Sequence, residues 1–269
     1  MEPPAPPALP TRPDPNDPND PNDPGYPAAL APRTRDLAAL DALVVDCRAC
    51  PRLVAWREET ALTKRRAFRE QEYWARPIPG FGPHDARLVL VGLAPAAHGG
   101  NRTGRIFTGD PSGDLLYASL HRLGLANRPE SHWRDDGLRL RGVRITDPVR
   151  CAPPENKPSN TERDTCRPWI VREFEQLRPT VRAVVALGGF AWQAALPVLA
   201  AAGWRVPRPK PVFGHGAHAV LPAADGGAEL HLYGCFHVSP RNTYTGRLTP
   251  AMVDDLLRTA ATAAGLEPS

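Results

Sequence analysis

The strongest constraint on the fold is the alternation of short apolar runs with longer segments of helical periodicity. The runs are rich in Val, Leu and Ile and too short for buried helices, which is typical of buried strands. The predicted strands are 87–92, 142–147, 181–187 and 230–236, and the predicted helices are 35–47, 110–123, 159–177, 189–202 and 250–264. Because strands that alternate with helices form parallel sheets, we predict a single-domain α/β fold with three α/β/α layers around a central, mostly parallel four-stranded sheet.

Residues 1–33 differ in composition from the rest of the chain. They contain 12 of the 33 prolines and the tandem repeat NDPNDPNDP, with few apolar residues. Such a segment cannot bury enough apolar surface to offset the entropy lost on ordering. We therefore predict a disordered tail over 1–33 and one folded domain over 34–269.

Charge and hydropathy limit the functional classes. No apolar run approaches the roughly 18 residues of a membrane span, and the N-terminus lacks the apolar core of a signal peptide. We expect a cytoplasmic protein with no membrane partner. Residues 34–269 hold 31 basic and 24 acidic residues. This excess is compatible with a polyanionic partner, but many metabolic enzymes are equally basic.

The cysteines suggest a metal or cluster site. Cys47 and Cys50 form a C-x2-C pair, and Cys151 and Cys166 supply a second pair. Four thiolates can hold zinc or an iron–sulfur cluster. The alternative is four incidental core cysteines, because C-x2-C is common and the second pair lacks the spacing of a zinc ribbon. Cys235 lies inside an apolar strand and is predicted to be a core residue.

Three polar segments follow predicted strands, and the carboxyl ends of parallel strands form the ligand crevice of α/β proteins. They are 92–110 (GLAPAAHGGNRTGRIFTGD), 146–158 (TDPVRCAPPENKP) and 237–248 (HVSPRNTYTGRL). The glycines of the first segment permit close approach of a ligand, Phe107 offers a flat apolar face, and Arg102 and Arg105 suit phosphate. Neither a P-loop nor a dinucleotide fingerprint is present. The pattern indicates a pocket for a flat ligand next to phosphate groups.

Together these segments resemble the three motifs of the uracil-DNA glycosylase superfamily, and more narrowly of its family 5. The resemblance covers roughly residues 40 to 265 and makes 34–269 the catalytic domain. It implies a nucleoid-associated, monomeric DNA repair enzyme that flips uracil, and other deaminated bases such as hypoxanthine, out of single- or double-stranded DNA. Hydrolysis of the N-glycosidic bond would then leave an abasic site.

The resemblance also implies residue roles. A [4Fe–4S] cluster would be held by Cys47, Cys50, Cys151 and Cys166. The base pocket would comprise Gly92, Leu93, Ala94, Pro95, Ala96 and Phe107. The DNA contacts would be Arg102, Arg105, Lys157, Arg241, Asn242, Tyr244 and Arg247, with Arg241 or Tyr244 filling the gap left by the flipped base. His237 would donate a hydrogen bond to the departing base, where negative charge develops.

Two residues are candidates for activating water, because Leu93 and Ala94 stand where other superfamily branches carry a polar residue. Asn156 is one candidate, although it also suits a turn. Asp147 is the second candidate. We expect it to be ionised and turned toward the water, whereas the alternatives are a carboxyl kept protonated by burial or a turn cap. Asp110 is predicted to cap a helix.

Two other functions fit the same pattern. One is an iron–sulfur protein of this fold that binds DNA lesions without cleaving them. The other is a nucleoside hydrolase, because a pocket for a flat base also suits free nucleosides. The three activities differ in whether an alkali-labile abasic site appears in DNA.

Overall fold

The sheet has one strand more than predicted. The computed structural model describes residue 17 and residues 19–269. Its strands are β1 (Leu88–Val91), β2 (Val143–Thr146), β3 (Ala183–Leu187), β4 (His218–Leu221) and β5 (Leu230–Cys235). They lie in the order β2-β1-β3-β5-β4, with all neighbours parallel except β4 and β5. The four predicted strands are confirmed, but the predicted four-stranded sheet is wrong. The missed strand β4 is a partly exposed edge, so its sequence shows no continuous apolar run.

Helices cover both faces of the sheet. They are α1 (Tyr26–Leu30), α2 (Leu37–Asp46), α3 (Pro51–Thr63), α4 (Gly100–Thr103), α5 (Pro111–Arg122), α6 (Asn160–Leu177), α7 (Gly189–Ala201), α8 (Pro240–Thr243) and α9 (Pro250–Ala263). Side chains of β1 alternate between the two faces, as the strand period requires. Val89 and Val91 pack with α2, α6 and α7, whereas Leu88 and Leu90 pack with α5 and α9. All five predicted helices are confirmed, as α2, α5, α6, α7 and α9. Within the described part of the chain, no helix has the length and apolar character needed to cross a membrane.

The N-terminal boundary was predicted wrongly. Residues 26–33 are helical rather than disordered, while 1–16 and residue 18 lie outside the described residues. The Tyr26 ring meets the Trp169 ring of α6 edge-on at 5.9 Å, and Leu30 and Ala31 are buried against the same helix. The polar, proline-rich composition of 1–33 as a whole obscured the apolar stretch YPAALA near its end.

The end of the NDP repeat is also folded, as a series of Asx turns. The Asp20 carboxylate accepts the Asn22 backbone N–H at 2.9 Å, and Asp23 accepts that of Gly25 at 2.5 Å. The Pro21 carbonyl accepts the Arg48 N–H at 2.7 Å, and Asn22 accepts a hydrogen bond from the Arg48 side chain. The repeat therefore packs against the turn between Cys47 and Cys50.

We predict different effects for two N-terminal truncations. A chain that begins at residue 34 loses the buried Tyr26 and Leu30 side chains. Its free energy of unfolding should fall by about 2–4 kcal/mol, because such side chains stabilise by about 1.5–3 kcal/mol each and ordering costs offset part of that. A chain that begins at residue 19 is the control and should unfold close to the full chain. Equal thermal midpoints for the two truncated chains would show that 19–33 contribute no stability.

Candidate active site

The carboxyl ends of β1, β2 and β5 place four predicted site residues around one pocket. The Gly92 N–H donates to the Thr146 carbonyl at 2.9 Å, so the backbone pairing continues past both strands. A Cβ atom on Gly92 would collide with the Asp147 carboxyl and lie 2.8 Å from the Phe107 ring. The Phe107 and His237 ring centroids are 6.1 Å apart. Gly92 is therefore required, because any side chain there would overlap the Asp147 carboxyl and the Phe107 ring.

Phe107 is presented in a conformation that is uncommon for a residue with a side chain. Its φ is 50°, in the left-handed region, and such backbone strain clusters at functional sites. The following helix fixes this turn. The Asp110 carboxylate caps α5 by accepting the N–H groups of Ser112 and Gly113 at 3.0 and 3.2 Å, and a Cβ on Gly113 would collide with the Phe107 carbonyl. The predicted cap at Asp110 is confirmed.

The remaining pocket residues form the loop after β1. Leu93, Ala94 and Ala96 are half-buried, and Pro95 is buried. A Cβ on Gly100 would lie 3.1 Å from the Pro95 ring. The first turn of α4 therefore packs closely under this wall of the pocket.

Asp147 is buried, with an exposed fraction of 2 %. Its Oδ1 atom has no hydrogen-bond partner among the described residues. Burial raises the pKa of Asp147 to about 8; Arg150 opposes this rise, and the charges of Asp110 and Glu173 add to it. The carboxyl is therefore protonated at neutral pH. Our expectation of an ionised Asp147 is contradicted, because no positive group compensates fully for its desolvation.

His237 is held by two neighbouring loops. The Asn242 amide donates to its carbonyl at 2.7 Å, and a Cβ on Gly188 would lie 3.3 Å from the His237 Cβ. Burial lowers the pKa of His237, although the charge of Asp110 acts in the opposite direction. A neutral imidazole keeps one N–H donor and one acceptor nitrogen. Asn242 thus helps to position this histidine with one amide N–H. Its second amide N–H and its Oδ1 atom make no hydrogen bond among the described residues, so the DNA contact of Asn242 stays a prediction.

The prediction that Arg102 and Arg105 contact DNA is wrong, because both are buried. Arg102 donates to the carbonyls of His98 and Gly109 and to the side chain of Gln71. Arg105 makes a bidentate ion pair with Asp136, in which the shorter N–O distance is 2.5 Å. These guanidinium groups stabilise the loop around the pocket. Arg105 makes five hydrogen bonds within the protein, so none of its donors is left for phosphate, and burial keeps Arg102 from a phosphate in solvent.

Other predicted residues lie on the surface. Lys157, Arg241, Tyr244 and Arg247 are exposed, as a DNA contact requires. Lys157 pairs with Glu155 at 2.9 Å, and both side chains are more than three-quarters exposed. Asn156 is exposed too, with a φ of 55° and no side-chain hydrogen bond among the described residues. The structure does not bring it into the buried pocket.

The four predicted ligand cysteines line one small cavity, between the ends of α2, α3 and α6 and the loop after β2. Burial is the main reason that the pKa of Cys50 rises to about 12 and that of Cys151 to about 11. The described residues contain no cluster of three His, Cys, Asp or Glu side chains arranged for a single metal ion.

Three buried N–H groups at or beside this cavity have no hydrogen-bond partner among the described residues. They are Arg57 Nε, Arg150 Nε and Trp169 Nε1. Arg57 also donates through Nη1 to the Cys151 sulfur at 3.0 Å. Because unpaired buried donors are costly, their presence here indicates a group that offers several hydrogen-bond acceptors.

A buried glutamate joins this cavity to the pocket. Glu173 of α6 accepts from Arg144 Nε at 2.5 Å, from the Thr146 hydroxyl at 2.6 Å and from Arg150. Burial alone would raise the pKa of Glu173, but the charges of Arg150 and Arg144 and the Thr146 hydroxyl outweigh it and lower the pKa. Glu173 is not among the predicted site residues, although the arginine inside the apolar run of β2, Arg144, indicates a buried partner.

The sequence matches the family described as the Uracil DNA glycosylase superfamily over residues 79–261. The chain belongs to this superfamily. It is 56% identical over 238 residues to the type-5 uracil-DNA glycosylase of Mycobacterium bovis, covering 88% of this chain and 85% of the relative. It is 52% identical over 220 residues to the type-5 enzyme of Thermus thermophilus, covering 82% and 94%. Identity to a type-4 enzyme of Pyrobaculum aerophilum is 28% over 165 residues, covering 61% and 66%. The predicted superfamily and its type-5 branch are confirmed.

Replacement of Glu173 by Ala should cost about 3–5 kcal/mol of unfolding free energy, because it leaves the buried Arg150 without its carboxylate partner and leaves Arg144 paired with Asp41 alone. Chemical denaturation monitored by circular dichroism would measure this loss. Glu175 lies two residues away and pairs with Arg172 near the surface at 3.0 Å. Glu175→Ala is the control and should cost less than about 1 kcal/mol. Equal losses in both variants would argue against Glu173 as the buried centre of this network.

Proposed function

We propose that the protein is a uracil-DNA glycosylase of base excision repair. It would flip uracil out of DNA and hydrolyse the N-glycosidic bond, leaving an abasic site. The observation that carries this proposal is the convergence of Gly92, Phe107, Asp147 and His237 on one buried pocket. Its relatives of 46–56% identity carry the name type-5 uracil-DNA glycosylase.

The pocket suits an extrahelical base. Flipping costs a few kcal/mol of stacking and pairing energy, which contacts in the pocket must offset. Gly92 lets the Asp147 carboxyl and the Phe107 ring lie directly against the backbone, and Phe107 offers its ring for stacking. As the bond to the sugar breaks, negative charge develops on the base, and the neutral imidazole of His237 donates its N–H to a base oxygen. A preorganised donor at that position lowers the barrier directly.

Asp147 would recognise the base edge in its neutral form. A protonated carboxyl offers one O–H donor and one acceptor oxygen. Uracil presents an N3–H donor beside a carbonyl acceptor, and the N1–H and O6 of hypoxanthine form a similar pair. We therefore include hypoxanthine among the proposed substrates. A neutral Asp147 also avoids repulsion between a carboxylate and the departing base anion.

Another group must then orient the attacking water, and we assign this role to Asp110. One of its carboxylate oxygens caps α5, and the second makes no hydrogen bond among the described residues. Its charge acts on both Asp147 and His237, so it lies near the reacting groups. Asn156 remains the alternative if its exposed loop moves toward bound DNA.

A [4Fe–4S] cluster fits the cysteine cavity better than zinc does. Cys47, Cys50, Cys151 and Cys166 would be its ligands, and the unpaired N–H groups of Arg57, Arg150 and Trp169 would face its sulfide acceptors. Its role would be structural. It would join the C-x2-C turn to the loop after β2, which begins at Asp147.

The remaining assignments concern partners. The substrate would be uracil-containing DNA, single- or double-stranded, and the enzyme would act as a cytoplasmic, nucleoid-associated monomer. Lys157, Arg241, Tyr244 and Arg247 are exposed and remain proposed DNA contacts. Either Arg241 or Tyr244, which is 81% exposed, would fill the gap left by the flipped base.

Single-turnover incubation with a uracil-containing oligonucleotide, followed by alkali, tests the proposed activity. Strand breaks at uracil are expected, and His237→Ala should slow them about 10²–10³-fold with little change in DNA affinity. His132→Ala is the control, because His132 is exposed and its ring makes no hydrogen bond among the described residues. Binding without strand breaks would indicate a lesion-binding protein, and cleavage of free deoxyuridine alone would indicate a nucleoside hydrolase.

The cluster has its own test. Protein purified without oxygen should be brown, with broad visible absorption and about four iron atoms per chain. Cys166→Ala should lose iron and colour, whereas Cys235→Ala should keep both, because Cys235 is buried in β5, away from the cavity. A colourless protein that contains zinc and excises uracil at the full rate would contradict the cluster.

A further inference from the structure

An exposed basic segment follows α3 and has no role in the account so far. We define the basic strip as Lys64, Arg65, Arg66 and Arg69, which surround a single 3-10 turn at Arg66–Phe68. The three arginines are exposed. Among the described residues, no carboxylate lies within 4 Å of a charged group of the strip, although several acidic side chains elsewhere on the surface do pair. The strip therefore presents positive charge to solvent with no ion-pair partner among the described residues, although the exposed Glu70 and Glu72 follow it in the sequence.

The basic strip is attached to the loop that walls the base pocket. The Arg102 guanidinium stacks on the Phe68 ring at 3.9 Å, and its Nη1 donates to the Gln71 side chain at 2.7 Å. The same guanidinium donates through Nε to the His98 carbonyl at 2.7 Å. Arg102 thus connects the strip to the segment that continues from Pro95 and Ala96.

The charge of the strip acts on that loop. Tyr73 and His98 share a hydrogen bond of 2.9 Å beside the strip. Burial lowers the pKa of His98, and the positive charges of Arg65 and Arg102 lower it further. Arg65 therefore lies near His98, whose carbonyl accepts a hydrogen bond from Arg102 in the loop after β1.

The basic strip and the exposed residues Arg241 and Arg247 are attached to loops that follow different strands of the sheet. Arg241 and Arg247 belong to the loop after β5, whereas the strip is fixed to the loop after β1. One strand, β3, separates β1 from β5, so the strand ends are about 9–10 Å apart. A flipped nucleotide has phosphates on both sides of it, and exposed cations attached to two different loops match that arrangement.

We propose that the basic strip binds the phosphates of the DNA strand on the β1 side of the flipped base. The inference rests on the proposed function, because it takes DNA as the ligand of the adjoining pocket. Phosphate contacts carry no sequence information and make affinity strongly dependent on salt. The strip should therefore contribute equally to binding of damaged and undamaged duplexes.

The test measures the salt dependence of binding to a DNA duplex with and without an abasic-site analogue, by fluorescence anisotropy. In the triple variant Arg65→Gln, Arg66→Gln, Arg69→Gln, the slope of log K against log salt should decrease by about 2–3, because each lost phosphate contact removes about 0.9. Affinity should fall at least about tenfold for both duplexes. The corresponding triple Arg→Lys variant should keep most of the slope, because it keeps the charges.

The matched control removes the same charge at the other end of the strands, where β1, β2 and β5 begin. Arg87 precedes β1 and Arg139 precedes β2. The Arg205 backbone N–H donates to the Pro222 carbonyl, beside the start of β5. All three arginines are exposed. Arg87→Gln, Arg139→Gln, Arg205→Gln should leave the slope nearly unchanged. Equal losses in this control and the strip variant would overturn the proposal. A different pair of results separates this proposal from the proposed function. If the unaltered protein does not excise uracil, the proposed function is wrong. If the slope of log K against log salt still decreases in the strip variant alone, the strip remains a DNA contact.

Discussion

The site depends on the hydrogen bonds and ion pairs of one buried carboxylate, that of Glu173. It accepts hydrogen bonds from Arg144, Thr146 and Arg150, so one side chain of α6 fixes the end of β2 and the loop beyond it. Asp147 follows directly after this bonded strand end. Removal of the carboxylate would leave the buried Arg150 guanidinium without its ion-pair partner, whereas Arg144 would keep Asp41. An unpaired buried charge costs more than a buried ion pair contributes. The position of the pocket carboxyl is therefore set by the same network that supports the cysteine cavity.

The pocket combines backbone constraint with neutral polar groups. Phe107 keeps a left-handed backbone, and Gly92 leaves no side chain between Phe107 and Asp147. Burial disfavours the charged forms of both Asp147 and His237, which leaves each side chain one neutral donor, an O–H and an N–H, for the base that we propose binds there. Donors that are neutral before the reaction stabilise charge that appears on the base during it. Positive charge for the DNA backbone is kept outside this dry pocket, on exposed arginines.

Much of this arrangement follows from local sequence patterns. The apolar runs predict β1, β2, β3 and β5, and the polar segments after them predict which loops meet. Side-chain burial was harder to predict, because it depends on contacts distant in sequence. Arg102 and Arg105 resemble phosphate ligands in the sequence, yet partners such as Asp136 hold them inside. The edge strand β4 and the helix α1 were missed because each buries only part of a short segment.

The central claim is that the base is held by a neutral carboxyl, and the pH dependence of excision tests it most directly. The single-turnover rate constant for uracil excision should be measured between about pH 6 and pH 9 for the unaltered protein and for Asp147→Asn. Because burial raises the pKa of Asp147 to about 8, the rate of the unaltered protein should fall above that pH as the carboxyl ionises. The variant cannot ionise at this position and should show no such fall. A rate that rises with pH through this range, or an identical fall in both proteins, would contradict the account.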